Sequence, residues 1–253
     1  MHLKLTIAYN GSHFAGWQSQ RHGNTVQDAL EKAFAEIVGQ RIVVHGASRT
    51  DAGVHALAQV AHVTLGEVSK KMSHPERWLV ALNASLPPHL RILRAQQVSE
   101  TFHARFSAQS KIYRYLLWHD ATLPPLLYQR AWQIHGTLDL SLLNKMANTL
   151  IGTHDFRGFT AKSGAARENT TRTLYSAKIV QQGKEIRLIF HGDGFLYHMV
   201  RMLVGAMVHV ARGKMNYEEF SHRLHAAKSP VAPRTAPAEG LYLVKVFYKK
   251  SSV

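Results

Sequence analysis

The sequence predicts an α+β fold composed of two ferredoxin-like halves. Predicted strands and helices in the first half follow the order strand, helix, strand, strand, helix, strand, and the second half repeats that order. No low-complexity segment or flexible linker separates them. We therefore expect a half at 1–102 and a half at 103–253, with antiparallel sheets that meet around a central basic cleft and with helices outside.

In the first half, hydrophobic periodicity and capping residues define the elements. Leu3–Tyr9 alternates as a strand does, and Thr25 with Asp28 three residues later is typical of a helix start, which Gly39 ends. The remaining predicted elements are strands Ile42–His45 and Leu57–Leu65, a helix that begins near Pro75 and ends near Ser85, and strand Arg91–Val98.

In the second half the same signals recur, with one additional helix. Asn216, with Glu219 three residues on, predicts that extra helix before the last strand. The other predicted elements are strand Lys111–Trp118, helix Asp139–Ile151, strands Thr173–Gln181 and Glu185–His191, helix Phe195–Arg212 and strand Leu241–Tyr248.

Composition narrows the classes of partner. The 253 residues include 31 Lys+Arg against 16 Asp+Glu, a net charge of +15, which favours a partner rich in phosphates. The absence of cysteine excludes disulfides and thiolate sites and favours a cytoplasmic location. The longest uninterrupted apolar run of the most apolar segment, Met202–Val208, is too short to span a bilayer. We therefore expect nucleic acid as the partner and no membrane.

Metal and cofactor signals are weak. Of 17 histidines, only His222 and His225 form a close pair at helical spacing, and HExxH does not occur. The loop Gly164–Asn169 lacks the GxxxxGK[ST] pattern of nucleotide triphosphate sites. The sequence thus predicts no metal and no small-molecule cofactor.

The segment Gly46–Ala56 concentrates glycine, small residues and three polar side chains, Arg49, Asp51 and His55. Two interpretations are open. The segment is either a hairpin loop in which Asp51 accepts local backbone N–H bonds, or a tight backbone that presents polar groups to a ligand.

Arg201 lies within an apolar helical segment, where an unpaired guanidinium would be costly to bury. One interpretation pairs it with a carboxylate, for which Asp51 is the candidate. The alternative places Arg201 on an exposed stripe with His198, Gly205 and His209, where it contacts phosphate.

The segment Phe102–Tyr115 alternates cations with aromatic residues. It is either an RNA contact strand or a strand with an aromatic face in the core and a cationic face in water. Tyr113 and Tyr115 point the same way on such a strand, and Arg114 points the opposite way.

Four motifs, GASRTDAGVHA, FHARFSAQSKIYRY, GDGFLYHMVRMLVG and AEGLYLVKVFY, resemble in that order the TruA-type tRNA pseudouridine synthases, and the likeness begins at AYNGSHFAGWQSQ. The resemblance implies isomerisation of uridine to pseudouridine in the anticodon stem-loop of tRNA, at positions 38, 39 and 40. It further implies no cofactor and a homodimer.

The resemblance also implies roles for individual residues. Asp51 matches the catalytic nucleophile and Arg201 the arginine that pairs with it. Tyr113 matches the active-site tyrosine, and Arg49 the arginine that helps turn the base out of the stack. With Arg49 and Tyr113, we expect Thr50 and His55 to bind substrate. Ser48 stands where the family usually has a third glycine after Gly-Ala.

Two other functions compete with this one. The net charge and the aromatic–cationic segment fit a non-catalytic tRNA-binding module or RNA chaperone. A base-excising glycosidase would begin with similar carboxylate chemistry and release free uracil.

Overall fold

The structure is a computed structural model that describes residues 1–66, 72–161, 169–225 and 234–249. These residues form two compact units. Unit 1 contains Met1–Gln109 and the described residues from Tyr242 onward, and unit 2 contains Ser110–Leu241 in its described parts. Residues 162–168, which hold most of the loop considered for nucleotide triphosphates, lie outside the described residues.

Both units contain helices and strands. In chain order they are β1 (His2–Tyr9), α1 (Val26–Val38), β2 (His45–Gly46), β3 (His55–Thr64), α2 (Pro75–Ser85), β4 (Leu90–Gln97), β5 (Ala108–His119), β6 (Trp132–Ile134), α3 (Leu140–Thr149), β7 (Gly152–Asp155), β8 (Thr171–Gln182), β9 (Glu185–Gly192), α4 (Met199–Ala211), α5 (Tyr217–His225) and β10 (Leu241–Tyr248).

In unit 1 the strand order is β4-β1-β3-β10. The first three strands are antiparallel, and Leu5 of β1 lies opposite Ala61 of β3 and Ala95 of β4. β10 runs parallel to β3, with Tyr242 opposite His55, while the short β2 pairs with β3 further along, at His62. β3 therefore pairs with three strands of this unit, β1, β2 and β10, whereas β4 pairs with β1.

In unit 2 the strand order is β5-β9-β8-β7, with antiparallel pairing throughout. β6 adds a short parallel pairing to β5, from Leu117 opposite Trp132 to His119 opposite Ile134. The predicted α+β class is confirmed. The two parallel pairs, β3 with β10 and β5 with β6, are additions to the antiparallel sheets that the sequence predicted.

Capping chemistry explains why the α1 prediction succeeded. The Thr25 hydroxyl accepts the N–H of Asp28, and Gly39 ends the helix at a φ of 75° with its N–H donated to Ala35. Val26 and Phe34 are fully buried on the apolar face. Asp139 caps α3 and Asn216 caps α5 in the same way.

Two predicted elements differ from the structure. Only His45 of the predicted strand Ile42–His45 pairs as a strand, because the Val44 N–H donates to the buried Glu31 carboxylate at 3.2 Å instead of to another strand. The helix predicted from Phe195 begins at Met199, because His198 has a φ of 60°, a left-handed conformation that interrupts the helix. β6 and β7 were not predicted.

The cores of the two units follow the expected patterns. Leu3, Leu5 and Ile7 alternate on the buried face of β1. Every residue of α4 is buried except Arg201 and His209, which fall on one stripe of the helix. Within the described ranges, no helix has the length and apolar character needed to cross a membrane.

Candidate active site

The polar segment between β2 and β3 forms a tight loop, residues 47–54, here called the Asp51 loop. The Val54 N–H donates to the Asp51 carbonyl at 3.1 Å, which closes a turn, and Gly53 within it has a φ of 81° that suits glycine. Arg49 is exposed and Asp51 is half-buried, whereas Thr50 between them is buried. The loop therefore anchors through Thr50 while Arg49 extends into solvent.

The segment that follows β1 holds this loop from one side. The backbone N–H of Trp17 donates to the Thr50 carbonyl at 3.0 Å. The hydroxyls of Tyr9 and Thr50 lie 2.8 Å apart in a buried hydrogen bond. The Gly11 N–H donates to Nδ1 of His55 at 3.0 Å. These bonds fix the residues on both sides of Asp51.

Two glycines make that close approach possible. A Cβ on Gly11 would lie 2.0 Å from the Val54 carbonyl oxygen. Gly16 has a φ of 102°, and a Cβ there would lie 2.8 Å from the Thr50 oxygen. Neither position has room for a side chain without displacing the Asp51 loop.

Gln59 of β3 holds the start of the loop. Its side chain is fully buried, accepts the Ser48 N–H at 3.2 Å and donates to the Ser48 carbonyl at 2.7 Å. The Ser48 hydroxyl is itself buried and has no hydrogen-bond partner among the described residues. One glutamine thus satisfies both backbone groups of Ser48, whereas the Ser48 hydroxyl stays unsatisfied among the described residues.

β10 supports the end of the loop. The Tyr242 ring stacks on the His55 ring with centroids 4.6 Å apart. His55 is only 3% exposed and Thr50 7% exposed, and the contacts described above are internal to unit 1. Both residues therefore serve the structure of the loop, and their contact with substrate stays a prediction.

Tyr113 lies on β5 in unit 2, opposite Phe190 of β9. It is buried, and its ring meets the Phe195 ring edge-to-face at 4.9 Å. Tyr115, two residues on, is fully buried and donates its hydroxyl to the Pro237 carbonyl at 2.7 Å. Burial, reinforced by the Glu239 carboxylate, raises the pKa of Tyr115 well above its usual value, so this tyrosine stays protonated.

Arg201 lies on the half-exposed stripe of α4. Its Nε donates to the Ala236 carbonyl at 2.9 Å, and its own carbonyl accepts the Ala236 N–H at 3.0 Å. A Cβ on Gly205, one turn further, would lie 1.8 Å from the Arg234 oxygen. The segment before β10 therefore lies directly against α4 and orients the guanidinium, and the carboxylate partner of Arg201 stays a prediction.

Sequence reasoning singled out Asp51 but missed the residues that support it. These are Tyr9, Gly11, Gly16, Gln59 and Tyr242. The two glycines in AYNGSHFAGW were the available signal, because glycine is needed where two backbone segments approach closely.

Among the described residues, no group of three or more His, Cys, Asp or Glu could hold a metal ion.

Comparison with known proteins shows the family to which the chain belongs. A family model described as tRNA pseudouridine synthase matches residues 5–107 and 146–249. The chain is 39% identical to tRNA pseudouridine synthase A of Acetivibrio thermocellus over 97% of its length and 99% of the relative. It is 40% identical to that of Neisseria gonorrhoeae, over 96% of this chain and 91% of the relative. It is 41% identical to that of Methylacidiphilum infernorum, over 97% and 94%. The chain therefore belongs to the tRNA pseudouridine synthase family, whose members are isomerases that convert uridine in tRNA to pseudouridine.

Proposed function

We propose that this protein isomerises uridine to pseudouridine in the anticodon stem-loop of tRNA, at positions 38, 39 and 40, with Asp51 as the nucleophile and no cofactor. The observation that carries the proposal is that the Asp51 loop is held from several sides. Trp17 and Gln59 hold it by hydrogen bonds, and His55 at its end stacks on Tyr242. A loop held in this way positions a carboxylate without further ordering when substrate arrives.

The reaction requires a group of this kind. The bond between N1 of the base and C1′ of the ribose breaks, the uracil rotates, and a new bond forms between C5 and C1′. The proton on C5 is then lost, and N1 gains one. A carboxylate can meet the charge that develops at C1′, either covalently or electrostatically, and leave afterwards.

The other predicted residues divide the remaining tasks. Arg49 is exposed two residues before Asp51, so it can occupy the place of a uridine that has left the stem. Arg201 serves as the cation that favours the ionised carboxylate. Tyr113 contacts the uracil ring, where it accepts the C5 proton or holds the ring for another base. Thr50 and His55 contribute to substrate binding through the loop they support.

The net charge and the family resemblance support the choice of substrate, oligomeric state and location. The net charge of +15 suits the phosphates of tRNA. We further propose a homodimer, which the resemblance implies, and a cytoplasmic location, which the absence of cysteine favours.

The test compares wild type with Asp51→Asn on unmodified tRNA transcripts, with pseudouridine mapped by chemical derivatisation and primer extension. Asp120→Asn is the matched control, because Asp120 forms a surface ion pair with Lys184 in unit 2. We expect anticodon-arm pseudouridine from wild type and from the control, and none from Asp51→Asn although it folds and binds tRNA.

Full activity in Asp51→Asn would disprove the assignment of the nucleophile. Tight tRNA binding without pseudouridine from wild type would favour the non-catalytic tRNA-binding module. Release of free uracil would favour the glycosidase.

A further inference from the structure

A turn of unit 1 exposes an aromatic ring that the proposed chemistry does not use. Phe106 is 76% exposed, although phenylalanine is ordinarily among the buried residue types. It lies in residues 102–107, here called the Phe106 turn, between β4 and β5. An exposed ring on a flexible loop does not define a binding surface. The hydrogen bonds that hold the turn therefore decide whether Phe106 can serve as one.

Hydrogen bonds fix the Phe106 turn internally. Nδ1 of His103 accepts the N–H groups of Arg105 and Phe106, at 3.2 and 3.3 Å. The His103 carbonyl accepts the Ser107 N–H at 2.9 Å, and the Ser107 hydroxyl accepts the His103 N–H at 3.0 Å. These bonds hold the backbone under Phe106 in a defined turn.

Three side chains of the sheet attach the turn to unit 1. His2 shares a hydrogen bond with the Phe102 carbonyl at 2.8 Å through Nε2. Nδ1 of His62 accepts the Ala104 N–H at 3.1 Å, and Tyr248 donates its hydroxyl to the Ala104 carbonyl at 2.7 Å. Strands β1, β3 and β10 thus all hold the backbone of the turn that carries Phe106.

The ring has an aromatic neighbour and a cation beside it. The His103 ring lies 4.3 Å from the Phe106 ring, centroid to centroid, at a 34° tilt. The Arg105 guanidinium carbon lies 5.5 Å over the Phe106 ring. An exposed aromatic surface next to a guanidinium matches the way proteins bind unpaired nucleotides, with the base on the ring and the phosphate on the cation.

The surrounding charge selects among occupants. The groups that act electrostatically on His103 are His45, Arg105 and His2, all of them basic. Lys4, from β1, lies 5.4 Å over the Phe102 ring in the same turn. The cations at the turn, Arg105 and Lys4, favour an anionic partner over a neutral apolar one.

We propose that Phe106 and Arg105 form a stacking site for an unpaired nucleotide of bound tRNA. This inference rests on tRNA as the substrate of the proposed function. It adds a binding contact in the Phe106 turn, separate along the chain from the Asp51 loop.

The experiment measures equilibrium binding of an unmodified tRNA transcript across a range of salt concentrations. The variants are Phe106→Ala, Phe106→Trp, Arg105→Gln and the control Leu126→Ala, since Leu126 is an 83% exposed apolar side chain in unit 2. We expect Phe106→Ala to weaken binding about 5- to 100-fold, as loss of one stacked base does. Phe106→Trp and Leu126→Ala should bind as wild type does.

The salt dependence separates stacking from charge. Phe106→Ala should leave the slope of log affinity against log salt unchanged, whereas Arg105→Gln should reduce that slope by about 1. Wild-type affinity in Phe106→Ala, or a loss that Phe106→Trp does not restore, overturns the stacking site.

Two further outcomes are distinguishable. If Phe106→Ala dissociates an oligomer in sedimentation while the monomer binds tRNA as tightly as wild type, the ring is a protein contact and the inference is wrong. If wild type binds tRNA but forms no pseudouridine, and Phe106→Ala still weakens binding, the proposed reaction fails while the stacking site stands.

Discussion

The polar groups of Ser48, three residues before the candidate nucleophile, are only partly satisfied by hydrogen bonds. Its backbone groups are both bonded to Gln59, while its hydroxyl is buried and has no partner among the described residues. A buried hydroxyl without a hydrogen bond has lost its contacts with water and gained nothing in exchange. The residue is therefore a local cost in the Asp51 loop.

We expect Ser48→Ala to raise the free energy of unfolding by about 1 kcal/mol, because it removes the unsatisfied hydroxyl and keeps the Cβ. Ser48→Gly should be less stabilising than Ser48→Ala because glycine adds backbone entropy to the unfolded chain. Urea unfolding of the three proteins measures both effects. A Ser48→Ala variant less stable than wild type would show that the hydroxyl has a partner in solution.

Gln59 is the opposite case, a buried amide whose side-chain oxygen and nitrogen are both hydrogen-bonded. Gln59→Leu leaves the Ser48 N–H and carbonyl without their partner, so we expect a loss of roughly 2 to 4 kcal/mol of unfolding free energy. The rate of pseudouridine formation should fall with it, since the start of the Asp51 loop is no longer fixed. Urea unfolding and single-turnover rates at saturating tRNA provide the measurement. An unchanged rate in a folded variant would separate the glutamine from catalysis.

Among elements, strands β1, β2 and β3 together with the Phe106 turn bring four histidines into contact. The His62 ring lies 4.9 Å from His2, 5.0 Å from His45 and 4.6 Å from His103, centroid to centroid. Burial, followed by the like charges of His103, His2 and His45, lowers the pKa of His62 from 6.5 to about 4.

The sign of the resulting pH dependence follows from that pKa. As the pH falls from 6.5 towards 4, His62 takes up a proton in the unfolded chain but not in the folded one, so protonation favours unfolding. We expect the urea midpoint of wild type to be lower at about pH 5 than at about pH 7.5. His62→Gln keeps an acceptor for the Ala104 N–H and should show a smaller loss. Equal losses in both proteins would assign the pH dependence to other groups.

The elements that sequence reasoning predicted well are those whose ends carry their own signals. α1 has Thr25 at its start and Gly39 at its end, and both act as local patterns require. The start of α4 follows the left-handed His198, a conformation that the hydrophobic pattern from Phe195 onward did not predict. Likewise, the Val44 N–H bonds to Glu31, a contact that joins residues distant in sequence. Local capping residues therefore predicted the ends of α1, whereas the start of α4 and the loss of the strand at Val44 could not be predicted from local patterns.

The site shows the same division. The residue types in Gly46–Ala56 left two interpretations open, and it was the resemblance of the motif that singled out Asp51. The supports from Tyr9, Gly11 and Tyr242 could not be derived, since they depend on which segments the fold places beside the loop.

At the scale of the whole molecule, the dominant property is the net charge of +15. Binding through many phosphate contacts releases counterions from the RNA, so affinity should fall linearly on a log–log plot against salt. For a protein that contacts 6 or more phosphates, the loss is roughly 10³-fold between about 50 and 200 mM salt. Filter binding of a tRNA transcript measures the slope. Affinity that does not change with salt would contradict phosphate contacts as the main source of binding.

The composition of unit 1 has a consequence for biosynthesis. β10 belongs to the unit that begins at Met1, although the ribosome makes residues 110–241 between the two parts. A nascent chain that has emerged only through unit 2 therefore has β3 without the strand that pairs at His55, and an unpaired strand edge invites association with other chains. The support of His55 by Tyr242 is absent at that stage as well. The candidate catalytic loop is thus encoded early but completed late.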